Sequence, residues 1–235
     1  MPQTSLKKRV EVFESWTATY NDSIVALMQR KFGMDYRDAI RGVVTLAHPA
    51  PGENILDVAT GTGTVAIALA EAAEGDCHIT GIDITAAMIE AARKNVAERG
   101  MEPVFTFQEA SAEDLPFAAD TFDLVTSSLA LHHTNVLKVL REVRRVLRPG
   151  GRAVIADVTA NRSWRGMLGP MARVFDQMYM FGTESNDLFC EFHTSGEWRR
   201  LMREAGFKET LMDFHEPKHF FSRGIAVTRG IKPIN

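Results

Sequence analysis

The chain has 235 residues, 45% of them hydrophobic and 24% charged, and a formal net charge of −3. These values are typical of a globular protein, and the acidic balance argues against a broad attraction to nucleic acid or anionic lipid. No apolar run approaches the length of a membrane span, and residues 1–12 lack the apolar run of a secretory signal. Cys77 and Cys190 show no metal-ligand spacing, so the sequence predicts no metal site. Two widely separated cysteines are weak evidence for a disulfide, so we expect free thiols in a cytoplasmic protein.

The first predicted element is helical. Apolar and aromatic side chains recur near the start of the chain at steps of three and four residues, which is the spacing of one helix face. The members of this face are Val12, Trp16, Tyr20, Ile24 and Leu27. Residues 1–48 therefore form an N-terminal helical segment in the prediction, and the proline and glycine residues of 49–52 mark the turn that ends it.

Residues 49–158 alternate between strand-like and helix-like patterns. The strand-like runs are residues 54–58, 78–83, 104–107, 122–126 and 152–156. Helices are predicted over 65–73, after Thr85, which can cap the second of them, and along an apolar stripe from Val136 to Leu147. Strands that alternate with helices of this length form a mainly parallel α/β sheet, which binds ligands beyond the carboxyl ends of its strands.

The turn after the first strand carries the chemistry. Gly61 and Gly63 allow a sharp bend and a close backbone approach to a ligand, and the next helix begins with free N–H groups. Asp83 stands at the end of the second strand, where a carboxylate can accept hydrogen bonds from both hydroxyls of a ribose. This combination predicts a nucleoside-binding site.

Two nucleoside cofactors fit the glycine pattern. The run from Gly61 to Ala66 matches the dinucleotide form G-x-G-x-x-A, which is found in NAD-linked oxidoreductases. Asp57 argues against a dinucleotide, because a carboxylate beside this loop suits an ammonium and a sulfonium better than a pyrophosphate. S-adenosylmethionine carries both cations, so it is the preferred cofactor. The alternative role of Asp57 is to cap the helix that follows.

Residues 54–158 resemble the class I S-adenosylmethionine-dependent methyltransferases, especially the group that includes the ubiquinone/menaquinone-biosynthesis C-methyltransferases. The matching segments are 55–63, 81–83, 112–117, 122–123 and 147–151. The resemblance implies a doubly wound, Rossmann-like, seven-stranded sheet with helices on both faces and a C-terminal antiparallel strand pair, to which Val227 would contribute. It also implies an N-terminal lid over 1–48, a methyltransferase domain over 49–235 and a substrate-lid insertion over 160–195.

The same resemblance implies the residues that bind the cofactor. Asp57 would lie near its ammonium, Asp83 would hold the ribose, and Ile84 would pack on the adenine. Ala112 would meet the adenine edge through its backbone, and Ser128 would border the methionine end. The full predicted set is Tyr20, Asp57, Thr60, Gly61, Gly63, Asp83, Ile84, Ser111, Ala112 and Ser128.

The chain departs from the family pattern at two positions. Ala59 stands where the family often has glycine, and Ser111 stands where it often has an aspartate that accepts from the adenine amino group. A serine hydroxyl can still accept this hydrogen bond, though more weakly than a carboxylate. Glu113 is the alternative acceptor in this segment.

Two roles are possible for Tyr20 as well. It contacts the cofactor as part of a lid, or it packs within its own helix.

No catalytic residue is assigned from the sequence. The positive sulfur already activates the methyl group, so a base is needed only when the acceptor arrives protonated. His132 and His133 fall in the expected active-site loop, where they act as a base or brace the loop. A methionine- and aromatic-rich stretch within 160–195 predicts either core packing or a lid that faces an apolar or aromatic acceptor.

The sequence thus predicts an enzyme that transfers a methyl group from S-adenosylmethionine to a small apolar or aromatic molecule and releases S-adenosyl-L-homocysteine. The alternatives are an NAD-linked oxidoreductase and a cofactor-binding module without turnover. Nucleic acid is not an expected partner, and the sequence does not decide whether the chain forms a homodimer. The identity of the acceptor and the atom that is methylated are not specified by the sequence.

Overall fold

The computed structural model describes residues 35–159, 192–215 and 224–234, together with the separate positions 10, 11, 14, 17, 25, 26 and 28. The strands of its sheet are β1 (Glu53–Val58), β2 (Cys77–Asp83), β3 (Phe105–Glu109), β4 (Phe122–Ser128), β5 (Leu147–Thr159), β6 (Lys208–His215) and β7 (Gly224–Ile231). The helices within the three longer ranges are α1 (Tyr36–Ala47), α2 (Thr64–Ala72), α3 (Ala86–Ala97), α4 (Val136–Val146) and α5 (Ser195–Glu204).

The strand order in the seven-stranded sheet is β3-β2-β1-β4-β5-β7-β6. The first five strands pair in parallel, and β7 runs antiparallel to both of its neighbours, β5 and β6. The predicted doubly wound, Rossmann-like sheet with an antiparallel C-terminal pair is confirmed, and Val227 lies in β7 as expected. The order reverses between β1 and β4, so their carboxyl ends open a crevice at the switch point.

The central strands are buried on both faces because their side chains alternate between two apolar clusters. Leu56, Val125 and Ile155 belong to a cluster that contains the apolar stripes of α4 and α5. Their chain neighbours Ile55 and Leu124 belong to a second cluster, which contains buried residues of α1 and α2. Helices therefore cover both faces of the sheet and leave the carboxyl ends of β1, β2 and β4 to form the site.

Strands β4 and β5 extend further than the sequence pattern indicates. β4 continues to Ser128, and β5 begins at Leu147, a residue that the apolar stripe assigned to the preceding helix. Leu147 is fully buried and has an extended backbone with φ −69° and ψ 141°. An apolar residue at this junction fits the buried side of either element, so periodicity alone does not locate the boundary.

Helix α1 is attached to the sheet by both packing and polar contacts. Asp35 caps its first turn by accepting a 2.9 Å hydrogen bond from the backbone N–H of Arg37. At the other end, Arg152 of β5 donates to the carbonyls of Ala47 and His48 and forms two 2.7 Å hydrogen bonds with Glu53. The last helix before β1 is thereby fixed against the strand ends opposite the crevice.

Several predictions fall on residues that lie outside the described ranges. They include the assignment of Tyr20, most of the N-terminal lid segment, and positions 160–191 of the predicted insertion. The domain division at residue 48 stays a prediction. Within the described ranges, no helix has the length and apolar composition needed to cross a membrane.

Gly81 in the middle of β2 allows Phe107 and Thr60 to approach the strand closely. A Cβ added at Gly81 would lie 2.6 Å from Phe107 Cε1 and 3.1 Å from Thr60 Cγ2. We expect Gly81→Ala to lower the free energy of unfolding by about 1–3 kcal/mol, because these groups must move in a packed interior. Urea denaturation measures the change. Gly196→Ala is the control, since nothing lies within 4 Å of a Cβ there, and equal stability of the two variants would contradict the close packing at Gly81.

Candidate functional site

The carboxyl ends of β1, β2 and β4 border a cleft of about 810 Å³. A smaller recess of about 300 Å³ adjoins it, because Ala59, Gly61 and Ser128 line both spaces. The predicted residues that line the cleft are Gly61, Asp83, Ile84, Ser111, Ala112 and Ser128, and those that line the recess are Asp57, Thr60, Gly61 and Ser128.

Asp83 organises the loop between β1 and α2. Its Oδ2 accepts a 3.0 Å hydrogen bond from the backbone N–H of Gly61. Its Oδ1 accepts hydrogen bonds from the backbone N–H and the hydroxyl of Thr85, at 3.1 and 2.7 Å. Thr85 stands at the N-cap position of α3 as predicted, but its side chain bonds to Asp83 instead of to the helix. The carboxylate therefore ties the ends of two strands together at the cleft wall.

The loop itself follows an unusual backbone path. Ala59, Gly61 and Gly63 have positive φ angles of 56°, 53° and 81°. A left-handed conformation costs a residue with a Cβ about 1–2 kcal/mol, which accounts for the frequency of glycine at the position of Ala59. Gly63 lines neither space and instead closes the turn, donating from its N–H to the Thr60 carbonyl at 2.9 Å and serving as the N-cap of α2.

Asp57 is the buried acid of the site, with 2% of its surface exposed. Its two carboxylate oxygens accept 2.7 Å hydrogen bonds from the hydroxyls of Thr60 and Thr126. Burial raises the pKa of Asp57 to about 6, against the effect of these hydrogen bonds, and the charge of Asp83 raises it further. Asp57 does not cap α2, because that helix begins without any side-chain capping bond.

The electrostatics of the two spaces favour a cation over an anion. Asp57, Asp83 and Glu113 contribute carboxylates to their walls. None of the residues that line them in the described part of the chain is a lysine or an arginine. A pyrophosphate would find two strand-end carboxylates and no cationic side chain there, whereas an ammonium or a sulfonium would be attracted.

The residues expected at the adenine end are bonded among themselves. Ser111 accepts a 3.2 Å hydrogen bond from the backbone N–H of Glu113 through its hydroxyl oxygen. The Glu113 carboxylate accepts from the backbone N–H of Asn135 at 3.2 Å and lies 3.8 Å from Lys138 Nζ. Both side chains line the cleft. Both groups keep lone pairs for a ligand, so these contacts do not decide which of the two accepts from the adenine.

A histidine–carboxylate pair lies beside the cleft, in the turn Leu131–His133 that follows β4. Leu131 and His133 line the cleft, and Nδ1 of His132 lies 2.5 Å from Oδ1 of Asp157 in β5. Sequence reasoning singled out the histidines but missed Asp157. The available signal was its position directly after the apolar run of the fifth strand, which parallels the positions of Asp57 and Asp83 at the ends of the first two strands.

Tyr36 is a second residue that the sequence did not indicate. It is the first residue of α1 and lines the recess together with Asp57 and Thr60. The aromatic residue expected near the cofactor was Tyr20, which lies outside the described residues. Within the described ranges, no three histidine, cysteine or acidic side chains come together as a metal site.

Comparisons with known proteins place this geometry in context. The family model described as a methyltransferase domain matches residues 49–206. A ubiquinone/menaquinone biosynthesis C-methyltransferase of Geotalea daltonii is 33% identical over 198 residues, which cover 76% of this chain and 80% of that protein. A demethylmenaquinone methyltransferase of Bacillus velezensis is 30% identical in an alignment of 240 positions that covers 96% of this chain and 97% of that protein.

Similar folds are found among solved structures. The YcgJ protein of Bacillus subtilis has a TM-score of 0.68 at 20% identity and covers 85% of this chain and 100% of its own. Geranyl diphosphate methyltransferase in complex with S-adenosylmethionine has a TM-score of 0.67 at 15% identity, covering 83% of this chain and 84% of its own. At these identities the likeness concerns the fold.

Asp57→Asn tests the cost of the buried charge. The pKa of Asp57 is about 6 in the folded chain and ordinarily 3.8, so the folded state binds more protons between these pH values. The contribution of Asp57 to stability therefore falls as the pH rises through this window, by about 3 kcal/mol in all. We expect the free energy of unfolding of Asp57→Asn, relative to wild type, to increase by about 2–3 kcal/mol between pH 4 and pH 8.

Urea denaturation of both proteins at several pH values measures this difference. Asp76→Asn is the control for loss of a carboxylate, because Asp76 is exposed on the loop before β2. A difference between Asp57→Asn and wild type that stayed constant across this pH range would contradict an unneutralised, buried carboxylate at the end of β1.

Proposed function

Because this chain belongs to the methyltransferase-domain family, we propose that it methylates a ring carbon of a small quinol. The predicted enzyme class is confirmed by the family match, as is S-adenosylmethionine as the cofactor. The NAD-linked alternative loses its basis, since the dinucleotide pattern at Gly61 also fits this family. The proposal therefore concerns where the cofactor is held and which acceptor is used.

The buried carboxylate of Asp57 is the observation that carries the proposed cofactor site, because no lysine or arginine is among the described residues that line its recess. S-adenosylmethionine supplies a methyl group on a positively charged sulfur and also carries an ammonium group. The recess beside Asp57, Thr60 and Gly61 would take the methionine part. A cation there would compensate the charge of the ionised carboxylate, which the two neutral hydroxyl groups that donate to it do not cancel. Ser128 lines both spaces and would border the sulfur between them.

The wider cleft would take the nucleoside part. Asp83 lies on its wall with both oxygens accepting hydrogen bonds from the protein. Among the described residues, its Oδ2 accepts only the bond from Gly61 and keeps a lone pair for a ribose hydroxyl. Ile84 and Ala112 line the same space as Ser111 and would contact the adenine. The ten residues predicted from the sequence are proposed as cofactor contacts on this basis, with Gly63 acting through the shape of the turn and Tyr20 as a lid contact.

The acceptor class is proposed from the relatives and from the cleft wall after β4. The relatives named above are a C-methyltransferase of ubiquinone and menaquinone biosynthesis and a demethylmenaquinone methyltransferase. In this chain the residues Leu129, Ala130 and Leu131 give that wall an apolar surface. An aromatic ring with weakly acidic hydroxyl groups would pack on such a surface, and we assign the acceptor to this class.

The N-terminal segment is proposed as a lid that helps to enclose the cofactor. Met28 is fully buried in a cluster with Ala39 and Ile225, and Tyr36 and Leu129 pack against this cluster. Tyr36 lines the recess and Leu129 lines the cleft, so the cluster connects residue 28 to both spaces. We place the enzyme in the cytoplasm and name a small molecule rather than nucleic acid as its partner, with a homodimer as the further assembly.

The test is a methyl-transfer assay with labelled S-adenosylmethionine and chemically reduced 2-prenyl-1,4-naphthoquinone. The expected product carries one new methyl group on the ring, which carbon NMR distinguishes from a methyl ether. Thermal shift with S-adenosylhomocysteine against NADH checks the cofactor separately, and only the former should stabilise the chain. Formation of an ether, or no product despite cofactor binding, would refute the proposed acceptor class.

Asp83→Ala should weaken the binding of S-adenosylhomocysteine by at least tenfold, because it removes the proposed ribose acceptor and releases Gly61 and Thr85. Isothermal titration calorimetry gives the dissociation constants. Glu109→Ala is the matched control, since Glu109 is the register partner of Asp83 on β3 and is exposed. Near-normal affinity in Asp83→Ala would remove Asp83 from the binding site.

A further inference from the structure

The pairing of His132 with Asp157 has the geometry of an oriented base. Asp157 is 1% exposed and accepts hydrogen bonds from the backbone N–H groups of His132 and Val158, at 2.9 and 2.7 Å. Oδ1 of Asp157 also lies 2.5 Å from Nδ1 of the His132 ring. A carboxylate accepts hydrogen bonds, so Nδ1 carries the ring hydrogen and Nε2 of the neutral imidazole is left with the lone pair.

The ring of His132 is held in place from two sides. It lies 4.0 Å from the ring of His133, centroid to centroid, and stacks on Phe192 at 5.4 Å with an angle of 26° between the planes. Within the described ranges, the titratable side chains in contact with the ring are Asp157 of β5 and His133 of the same turn. The His132 side chain is 11% exposed, so part of the ring stays accessible to a ligand.

His132 lies next to the part of the cleft that is assigned to the acceptor. Its chain neighbours Leu131 and His133 both line the cleft, and the turn begins three residues after Ser128. A base in this position lies nearer to the proposed acceptor than to the ribose or the adenine, which are assigned to residues at the ends of β2 and β3.

We propose that His132 is the general base of the methyl transfer and that Asp157 is a positioning residue that acts through it. This inference rests on the proposed function, because it requires an acceptor that arrives with a hydroxyl proton. Nε2 removes that proton, and Asp157 fixes the tautomer and stabilises the imidazolium that forms. The substrate class is thereby narrowed to rings with a weakly acidic hydroxyl group next to or opposite the carbon that is methylated.

The step balances in atoms and charge. The hydroxyl proton of the quinol moves to Nε2, and the ring carbon made electron-rich by the phenolate forms a bond to the methyl carbon. The electron pair of the broken carbon–sulfur bond stays on sulfur, which becomes neutral. The ring carbon then loses its own proton to water, and the imidazolium returns its proton to the phenolate oxygen. One proton is released for each methyl group transferred.

The experiment compares two acceptors in the full-length protein. Reduced 2-prenyl-1,4-naphthoquinone needs a base, whereas 4-nitrothiophenol is already ionised at neutral pH and needs none. We expect His132→Ala to lower kcat for the quinol by about 10²-fold or more, with added imidazole restoring part of the rate. Its rate with the thiolate should stay within threefold of wild type. With S-adenosylmethionine saturating, so that Asp57 is held ionised, kcat/KM of wild type for the quinol should fall at low pH as one group is protonated. His132→Ala should lose this dependence.

Two further variants separate a base from a structural residue. His132→Asn keeps a donor near the position of Nδ1 for Asp157 but has no Nε2, so it should show the same selective loss. Asp157→Asn should show a smaller loss for the quinol only. His78→Ala, an exposed histidine of β2, should behave as wild type.

Three results would overturn the assignment. The first is a quinol rate in both His132 variants within threefold of wild type. The second is an equal loss with both acceptors and no response to imidazole, which indicates a structural role. The third is a wild-type protein that methylates the thiolate but no quinol, which also refutes the proposed acceptor. Binding of S-adenosylhomocysteine by all variants shows that the cofactor site is intact and keeps these outcomes distinct from a failure to fold.

Discussion

The site is arranged around a buried carboxylate, and no lysine or arginine is among the described residues that line its recess. Asp57 is held by hydroxyl groups from two parts of the chain, the loop after β1 and the adjacent strand β4. These hydrogen bonds satisfy its oxygens but leave its charge in place, so its pKa rises to about 6. The free-energy cost of burying this charge falls at the switch point of the sheet, where a positively charged ligand can offset it.

The loop around this carboxylate is fixed before any ligand arrives. Asp83 holds Gly61 and Thr85 at once, so the path of the backbone is set by contacts within the protein. Ala59 and Leu129 follow β1 and β4 with positive φ angles of 56° and 55°, and both line the cleft. Strained residues of this kind persist where the surrounding structure determines them, often at functional sites. A preset loop loses little conformational entropy on binding, which favours affinity.

Much of this arrangement follows from local patterns in the sequence. The strands, the glycine turn and the proximity of Asp83 to Gly61 could be predicted, because the carboxyl ends of neighbouring parallel strands meet at one edge. The partner of Asp57 could not, since Thr126 is 69 residues away and reaches it only through the register of β1 with β4. Asp157 was missed for the same reason, because its contact with His132 depends on how far β5 extends beside the turn.

The contacts of α1 and the position of β7 show that both elements belong to the same folded domain as the family match. The family match covers residues 49–206, yet α1 precedes it and β7 follows it. β7 lies inside the sheet between β5 and β6, and Val43 of α1 and Val227 of β7 belong to one buried cluster. A polypeptide trimmed to the matched boundaries would end its sheet at β5. The edge of β5 would then have unpaired backbone groups, and apolar surface that α1 and β7 cover would be exposed to solvent. Recombinant fragments of this enzyme should therefore be cut outside α1 and β7, because homology boundaries would yield an insoluble remnant.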